Sequence, residues 1–298
     1  MRKYILYVTL LLTALGAQAY TVDTTASYIY SSDYNQARIG AAVPLGLNTQ
    51  IGLEGKYVED KMPFEQGGLK DPVYSVYMPV QLNFDLFRLN LTPFYYFKNK
   101  FKDMAPLKEA YAYGISSQIV LDLVQNEVDE SYSQAYIGVS YARQKANLLD
   151  EENQWNHKNY DQMAFSFGLK QNFFGAFLFQ VAGAVFQYPD GVSHIQAFGG
   201  ILDSKDLAFT ESFDVNRALN KYALSARITR MWQEKRSSLY VGYHYAEAYT
   251  ADPEHSVVVG NTFYLAKQAQ LDIAYNHLQN TDSTNKRDLA YINLNIAF

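Results

Sequence analysis

The chain ends Asp288-Leu289-Ala290-Tyr291-Ile292-Asn293-Leu294-Asn295-Ile296-Ala297-Phe298, and this stretch decides how the rest is read. Ala290, Ile292, Leu294, Ile296 and Phe298 form one apolar set. Tyr291, Asn293, Asn295 and Ala297 alternate with them. A period of two is the signature of a β-strand, whose successive side chains point to opposite faces. One face of this strand is greasy and the other is small or polar.

Working outward, the same alternation recurs over 20–30, 37–45, 51–57, 74–82, 89–97, 111–121, 135–141, 163–169, 177–185, 222–228, 239–245, 257–265 and 271–275. With the last stretch these make fourteen strands. The separators alternate between short and long. Gly46–Asn48, the turn near Asp85, and 122–130, 172–175, 233–237 and 266–268 form the shorter set. The stretches 59–71, 98–108, 144–159, 188–220, the loop around Asp252-Pro253, and 279–287 form the other, together with the brief Ser32-Asp33-Tyr34-Asn35 connection, which is the exception in length on that side. Short turns on one side and long loops on the other describe a transmembrane up-and-down β-barrel. Fourteen strands is the count; twelve or sixteen follow if the 122–130 turn or the 188–220 gap divides differently. That gap is far longer than an ordinary connection and reads as a functional loop or small cap.

Composition agrees with this class. The chain has 26 Tyr, 18 Phe, 2 Trp and no Cys. A chain without cysteine has no disulfide framework and no thiol chemistry. Aromatic richness beside a mean hydropathy of −0.23 fits a wall that is apolar outside and polar inside, since the two average out. The first residues, Met1-Arg2-Lys3, then the apolar run from Tyr4 to Leu15, then Gly16-Ala17-Gln18-Ala19, read as a secretory signal peptide over 1–19. Twelve apolar residues are too few for a spanning helix, which needs about 20. The barrel is therefore expected over 20–298. Removing Arg2 and Lys3 takes the formal charge from −5 to −7, which excludes nucleic acid as a natural partner.

A final strand with an aromatic last residue and alternate apolar positions resembles the closing strand of a bacterial outer-membrane β-barrel. The segment 20–298 as a whole resembles a monomeric fourteen-stranded porin. The resemblance implies that the closing strand, ending at Phe298, is read by the barrel-assembly machinery and pairs with the first strand. It implies periplasmic termini and turns, residence in the outer membrane of a Gram-negative-type bacterium, and contact with membrane lipid and lipopolysaccharide. Fatty-acid transporters with fourteen strands carry an N-terminal hatch, whereas here the first strand starts at the expected cleavage site.

If the apolar set faces lipid, the other set faces the lumen. Arg38, Glu54, Lys56, Arg88, Lys170, Arg227, His244, Asp272, Asn293 and Asn295 are the expected pore-lining residues. Five cations against Glu54 and Asp272 point to a mild preference for anions. The expected function is passive diffusion of small hydrophilic solutes. A structural or surface-binding barrel with a filled lumen is the alternative, and an outer-membrane hydrolase stands third.

Chemistry leaves little trace. No HExxH, nucleotide-binding loop or calcium loop occurs, and no catalytic, metal or cofactor residues are expected. A Ser–His–acid set needs only to meet in space, and Glu254-His255-Ser256 near the outer rim is the first place to look. Phe97-Lys98-Asn99-Lys100-Phe101-Lys102 reads first as an ordinary loop edge and second as a contact for lipopolysaccharide phosphates, and Asp150-Glu151-Glu152 reads as a solvated loop before a divalent-ion site.

Overall fold

A computed structural model describes residues 22–60, 72–100, 107–126, 130–149, 154–191, 219–232, 237–249, 252–281 and 286–298. The expected signal peptide, His194, most of the 188–220 segment, Asp150-Glu151-Glu152 and Phe101-Lys102 lie outside the described residues. The strands are β1 (Asp23–Tyr30), β2 (Tyr34–Pro44), β3 (Thr49–Asp60), β4 (Val73–Tyr77), β5 (Val80–Asn83), β6 (Phe87–Lys100), β7 (Leu107–Asn126) and β8 (Ser131–Leu149). There follow β9 (Trp155–Phe173), β10 (Phe177–Gln187), β11 (Asn220–Met231), β12 (Ser237–Ala248), β13 (Glu254–Ala266), β14 (Ala269–Asn280) and β15 (Lys286–Ala297).

Each crossing pairs antiparallel with its chain neighbours, and β15 returns to β1, so the sheet closes. The closure runs from Asp23 opposite Ala297 to Tyr30 opposite Ala290. It is clasped at the end by Val22 N to Phe298 O at 3.0 Å and Phe298 N to Val22 O at 2.9 Å. The carboxyl-terminal strand thus has partners on both edges, which removes the open edge that invites aggregation.

β4 and β5 are two parts of one crossing. Pro79, which has no N–H to donate, interrupts the ladder between them. The register is unbroken through it: Glu54 faces Tyr77 and Ile51 faces Val80 on one side, Tyr77 faces Phe94 and Val80 faces Leu91 on the other. The barrel therefore has fourteen crossings. Its turn end carries the connections after β2, β5, β7, β9, β11 and β13 together with both strand termini; its loop end carries the others.

The outward face bears a band of half-exposed Ile, Val, Leu and Phe, among them Ile137, Val139, Phe167, Leu169, Val181, Leu224, Val241, Ile273 and Ile292. Such a continuous apolar surface would be costly in water and is stable only against lipid.

The loop-end boundaries differ from the sequence expectation. The segments 98–108 and 144–159 were expected as loops, yet β6 reaches Lys100, β7 starts at Leu107, β8 runs to Leu149 and β9 starts at Trp155. Pairing continues from Arg143–Asp161 to Leu149–Trp155. Beyond the lipid band an outward side chain need not be apolar, so the period of two fades while backbone hydrogen bonding continues. A crossing needs only about 10 residues, and β7, with 20, stands well above the membrane.

Candidate functional site: the inner wall of the barrel

Alternation places Arg38, Glu54, Lys56, Arg88, Lys170, Arg227, His244, Asp272, Asn293 and Asn295 on the inward faces of their strands. They do not form one cluster. Arg38 pairs with Glu54 across β2 and β3, and Lys56 lies opposite Arg38 in the ladder. Arg88 stands 4.0 Å from Asp122 near the turn end. Lys170 lies beside the ring of Tyr132 at 5.6 Å. The Arg227 guanidinium covers the face of Tyr240 at 3.6 Å, and the Tyr240 hydroxyl donates to Asp272 at 3.1 Å. Thr25 donates to Asn295 at 2.8 Å, tying the first strand to the last.

These side chains divide the wall into two unlike arcs. On β12–β15 the inward residues are almost fully buried: His244 at 4 %, Asp272 at 3 %, Asn276 at 1 % and Asn293 at 4 %. Ser256 donates to Asn276 at 2.6 Å, and Tyr240, Val258, Ala274, Leu278, Leu289 and Tyr291 pack together beside them. Gly260 lies directly opposite Tyr240, and the ring rests where a side chain at 260 would stand. Tyr136 rests on Gly168 of β9 in the same way.

On β2–β7 the inward face opens into a recess of about 280 Å³. The register explains its shape. One cross-strand row carries only small side chains: Ala42, Gly52, Pro79, Thr92 and Ser116. The row nearer the loop end carries Glu54, Tyr77 and Phe94, with the two rings 5.8 Å apart. The row nearer the turn end carries Gln50, Gln81, Asn90 and Gln118, one amide from each of four adjacent strands. A row of small residues between two rows of large ones leaves a hollow. Gly52 is required at its back, because a side-chain carbon there would come within 2.8 Å of Pro79 Cγ.

Sequence reading missed several inward groups. Asp122 was placed in a turn, Glu254 and Arg287 in loops, and Asp23 was not singled out, yet all four face inward. Asp23 accepts from Gln50 at 2.8 Å, Asp122 from Gln134 at 2.6 Å, and Arg287 pairs with Asp33 at 3.1 Å. Each sits at a strand end, where too few residues follow to show a period.

The pleat takes apart the Ser–His–acid candidate. His157 and His255, expected in loops, are strand residues on β9 and β13. Glu254 and Ser256 point inward at 2 % and 3 % exposure, while His255 lies on the opposite face against the Tyr243 hydroxyl at 2.6 Å. Neighbouring positions in a strand cannot converge. Among the described residues no three His, Cys, Asp or Glu side chains gather as metal ligands.

A collar of polar contacts rings the outer face just above the lipid band. It includes Lys98–Glu109 at 2.8 Å, Arg143–Asp161 at 2.6 Å, Lys221–Glu247 at 2.9 Å and His277–Asp288 at 2.8 Å. Tyr222 donates to Glu247 at 2.6 Å, placing an aromatic ring beside the charges.

The barrel fold is shared with solved structures. One described as "CymD monoaromatic hydrocarbon channel" superposes with a TM-score of 0.52 at 8 % identity, covering 94 % of this chain and 88 % of that one. CdiB from Acinetobacter baumannii gives 0.52 at 11 % identity, covering 94 % of this chain, which spans only 60 % of CdiB. Pseudomonas putida OprB gives 0.47 at 8 % identity, covering 96 % of each. The likeness is one of fold. No protein-family model matches the chain, and no curated protein matches it in sequence.

Proposed function

We propose that the protein is an outer-membrane pore for passive diffusion of small hydrophilic solutes. The observation that carries this reading is the recess on β2–β7: uncharged polar side chains and water-accessible space inside a closed wall. Fourteen crossings give a lumen wide enough for an aqueous path when no plug fills it. The path follows the β2–β7 arc.

The preference among ions leans slightly to anions. Arg38, Lys56, Arg88, Lys170 and Arg227 outnumber Glu54 and Asp272 on the inner wall. The added carboxylates of Asp23, Asp122 and Glu254 outweigh the added Arg287 and trim that excess. The turn end is periplasmic. The collar, with its Lys, Arg and Tyr side chains beside the lipid band, faces lipopolysaccharide outside, and the strand ending at Phe298 engages the assembly machinery. The protein acts as a monomer.

Single-channel recording on purified, refolded protein in a planar bilayer tests the pore. Steady unitary conductance in potassium chloride is the expected result; a folded but silent protein overturns it. Silence would favour a barrel with a filled lumen, a reading that the burial of the β12–β15 inner face supports.

A further inference from the structure

We propose that the recess on β2–β7 is a weak binding site for a neutral, hydroxyl-rich solute of the sugar class on its way through the lumen. The inference rests on the pore reading and adds a substrate class to it.

The chemistry of the lining makes the choice. Its polar side chains are the amides Gln50, Gln81, Asn90 and Gln118 and the hydroxyls Thr92 and Ser116; none is ionisable. An anion is best held by donors that carry positive charge, and a metal cation by a cage of oxygen acceptors. Each amide here offers both a donor and an acceptor, and each hydroxyl does the same. That matches a ligand whose own groups are hydroxyls, which also donate and accept at every position.

The amides are held in place but not used up. Asn90 Nδ2 donates to Gln118 Oε1 at 3.2 Å, Gln81 Nε2 donates to Asn83 Oδ1 at 2.8 Å, and Gln50 Nε2 donates to Asp23 Oδ2 at 2.8 Å. Each side chain is thus oriented through one atom and keeps further donor or acceptor capacity. None of the six lining polar groups is among the buried side-chain atoms that lack a partner. They are open to water, so a solute hydroxyl replaces a water molecule rather than rescuing a stranded group. Net gains are then small per contact. Weak binding suits a passage, where a site must admit the solute and also release it.

Geometry sets the size. Four amides on adjacent strands, about 4.8 Å apart, form a ladder roughly 14 Å long. The ladder is longer than one sugar ring and suits two linked rings. The small-residue row behind it leaves the depth, and Tyr77 and Phe94 bound it toward the loop end.

The test uses maltose as the neutral probe and sodium gluconate as the charged comparison. Purified protein in a planar bilayer should show maltose-dependent reduction of ion current. Gln81→Ala with Gln118→Ala should raise the half-effect concentration about tenfold, each current being compared with that variant's own open level. Should the double variant fail to fold by circular dichroism, Thr92→Val, which keeps the shape and removes one hydroxyl, should raise it about threefold. Calorimetric titration of maltose into the detergent-solubilised protein separates the two readings. Conductance without any maltose effect overturns the sugar site and leaves the pore. Maltose binding in a silent protein overturns the pore and leaves the site. Gluconate acting more strongly than maltose, or a maltose effect untouched by the variants, overturns the assignment of the recess.

Discussion

The arc of inner wall made by β2–β7 and the arc made by β12–β15 use the same strand pairing and the same alternation, yet toward the turn end the first opens into a recess where the second is packed; toward the loop end Val73, Tyr77, Phe94, Ala110 and Ala112 of the first are buried as well. On β2–β7 a row of small residues backs a row of amides, and the space between is open. On β12–β15 the rings of Tyr240 and Tyr291, the short chains of Ala274 and Val258 and the buried Asp272 and Asn276 fill the corresponding depth. The outward faces of both arcs are alike, because lipid asks the same thing of each. A barrel can therefore keep part of one side of its circumference open and the other side rigid, with the division written only in the inward set. Resistance to substitution and influence on a passing solute should then separate around the wall.

The largest expected effect is on the packed arc. A side-chain carbon at Gly260 would stand 2.2 Å from Tyr240 Cζ, far inside contact distance. Ala274 Cβ would lie within 2.8 Å of the same atom, so the ring must leave its place. For Tyr240 this also breaks the contact with Arg227 and the hydrogen bonds to Asp272. Gly260→Ala should lower stability by about 1–3 kcal/mol, the usual cost of overpacking. Ala42→Val, which points into the recess, should cost less than about 0.5 kcal/mol, like a surface change. Thermal denaturation in detergent, followed by circular dichroism, compares them. Equal losses at the two positions would erase the distinction between the arcs.

A smaller effect sharpens the comparison electrically. Arg38 and Glu54 sit beside the open recess, their side chains 30 % and 12 % exposed. Arg227 lies flat on Tyr240 across the lumen. Arg38→Gln leaves Glu54 without its cation in the path, so the reversal potential in a salt gradient should move toward cation selectivity. Glu54→Gln should move it the other way. A unit charge acts on an ion 4 Å away with about 1 kcal/mol in water, which bounds the change in permeability ratio at roughly fivefold. Arg227→Gln should give a clearly smaller shift. A larger shift from Arg227 than from Arg38 would move the path to the other side of the barrel.

The fourteen crossings were legible because lipid demands an apolar residue at every second position within its thickness. The demand stops at the edge of the lipid band, and legibility stops with it. The upper parts of β7–β9 are polar on the outer face, at Glu109, Arg143, Lys145 and Asp161, while small and apolar residues such as Ala110, Ala112, Ala142 and Ala146 face inward, and Glu254, Asp122 and Arg287 sit at ends where no period could be counted. The charged residues on the inward faces followed from the same alternation as the lipid-facing ones. The recess did not. Its small-residue row joins Ala42, Gly52, Pro79, Thr92 and Ser116, up to 74 positions apart in the chain, and only the register between strands aligns them. Pro79 in particular reads in sequence as a flaw in a strand; in the barrel it marks the back of the hollow. The His255 neighbourhood shows the reverse error, since three residues that touch in sequence are parted by the pleat.

The smallest effect tests whether an ion pair matters because of its chemistry or because of the arc it belongs to. Arg143 and Asp161 form two charge-assisted hydrogen bonds, at 2.6 and 2.7 Å, on the outer collar above the lipid band. They face neither the recess nor the packed arc. The hydrogen bond from Arg143 holds the Asp161 carboxyl below its ordinary value of 3.8. A carboxyl depressed by folding contributes stability above its unfolded pKa, near 4, and loses that contribution as pH falls through the lower folded value. Asp161→Asn should therefore melt slightly below the parent protein at pH 7, and the gap should close as the pH falls through the lowered folded value, below which both forms are neutral at that position. Because the Arg143 side of the pair is open to solvent, raising the salt concentration at pH 7 should narrow the gap as well. Its conductance and ion selectivity should match the parent's throughout. A selectivity change as large as that of Arg38→Gln would mean that the collar, and not the recess wall, sets the field an entering ion meets.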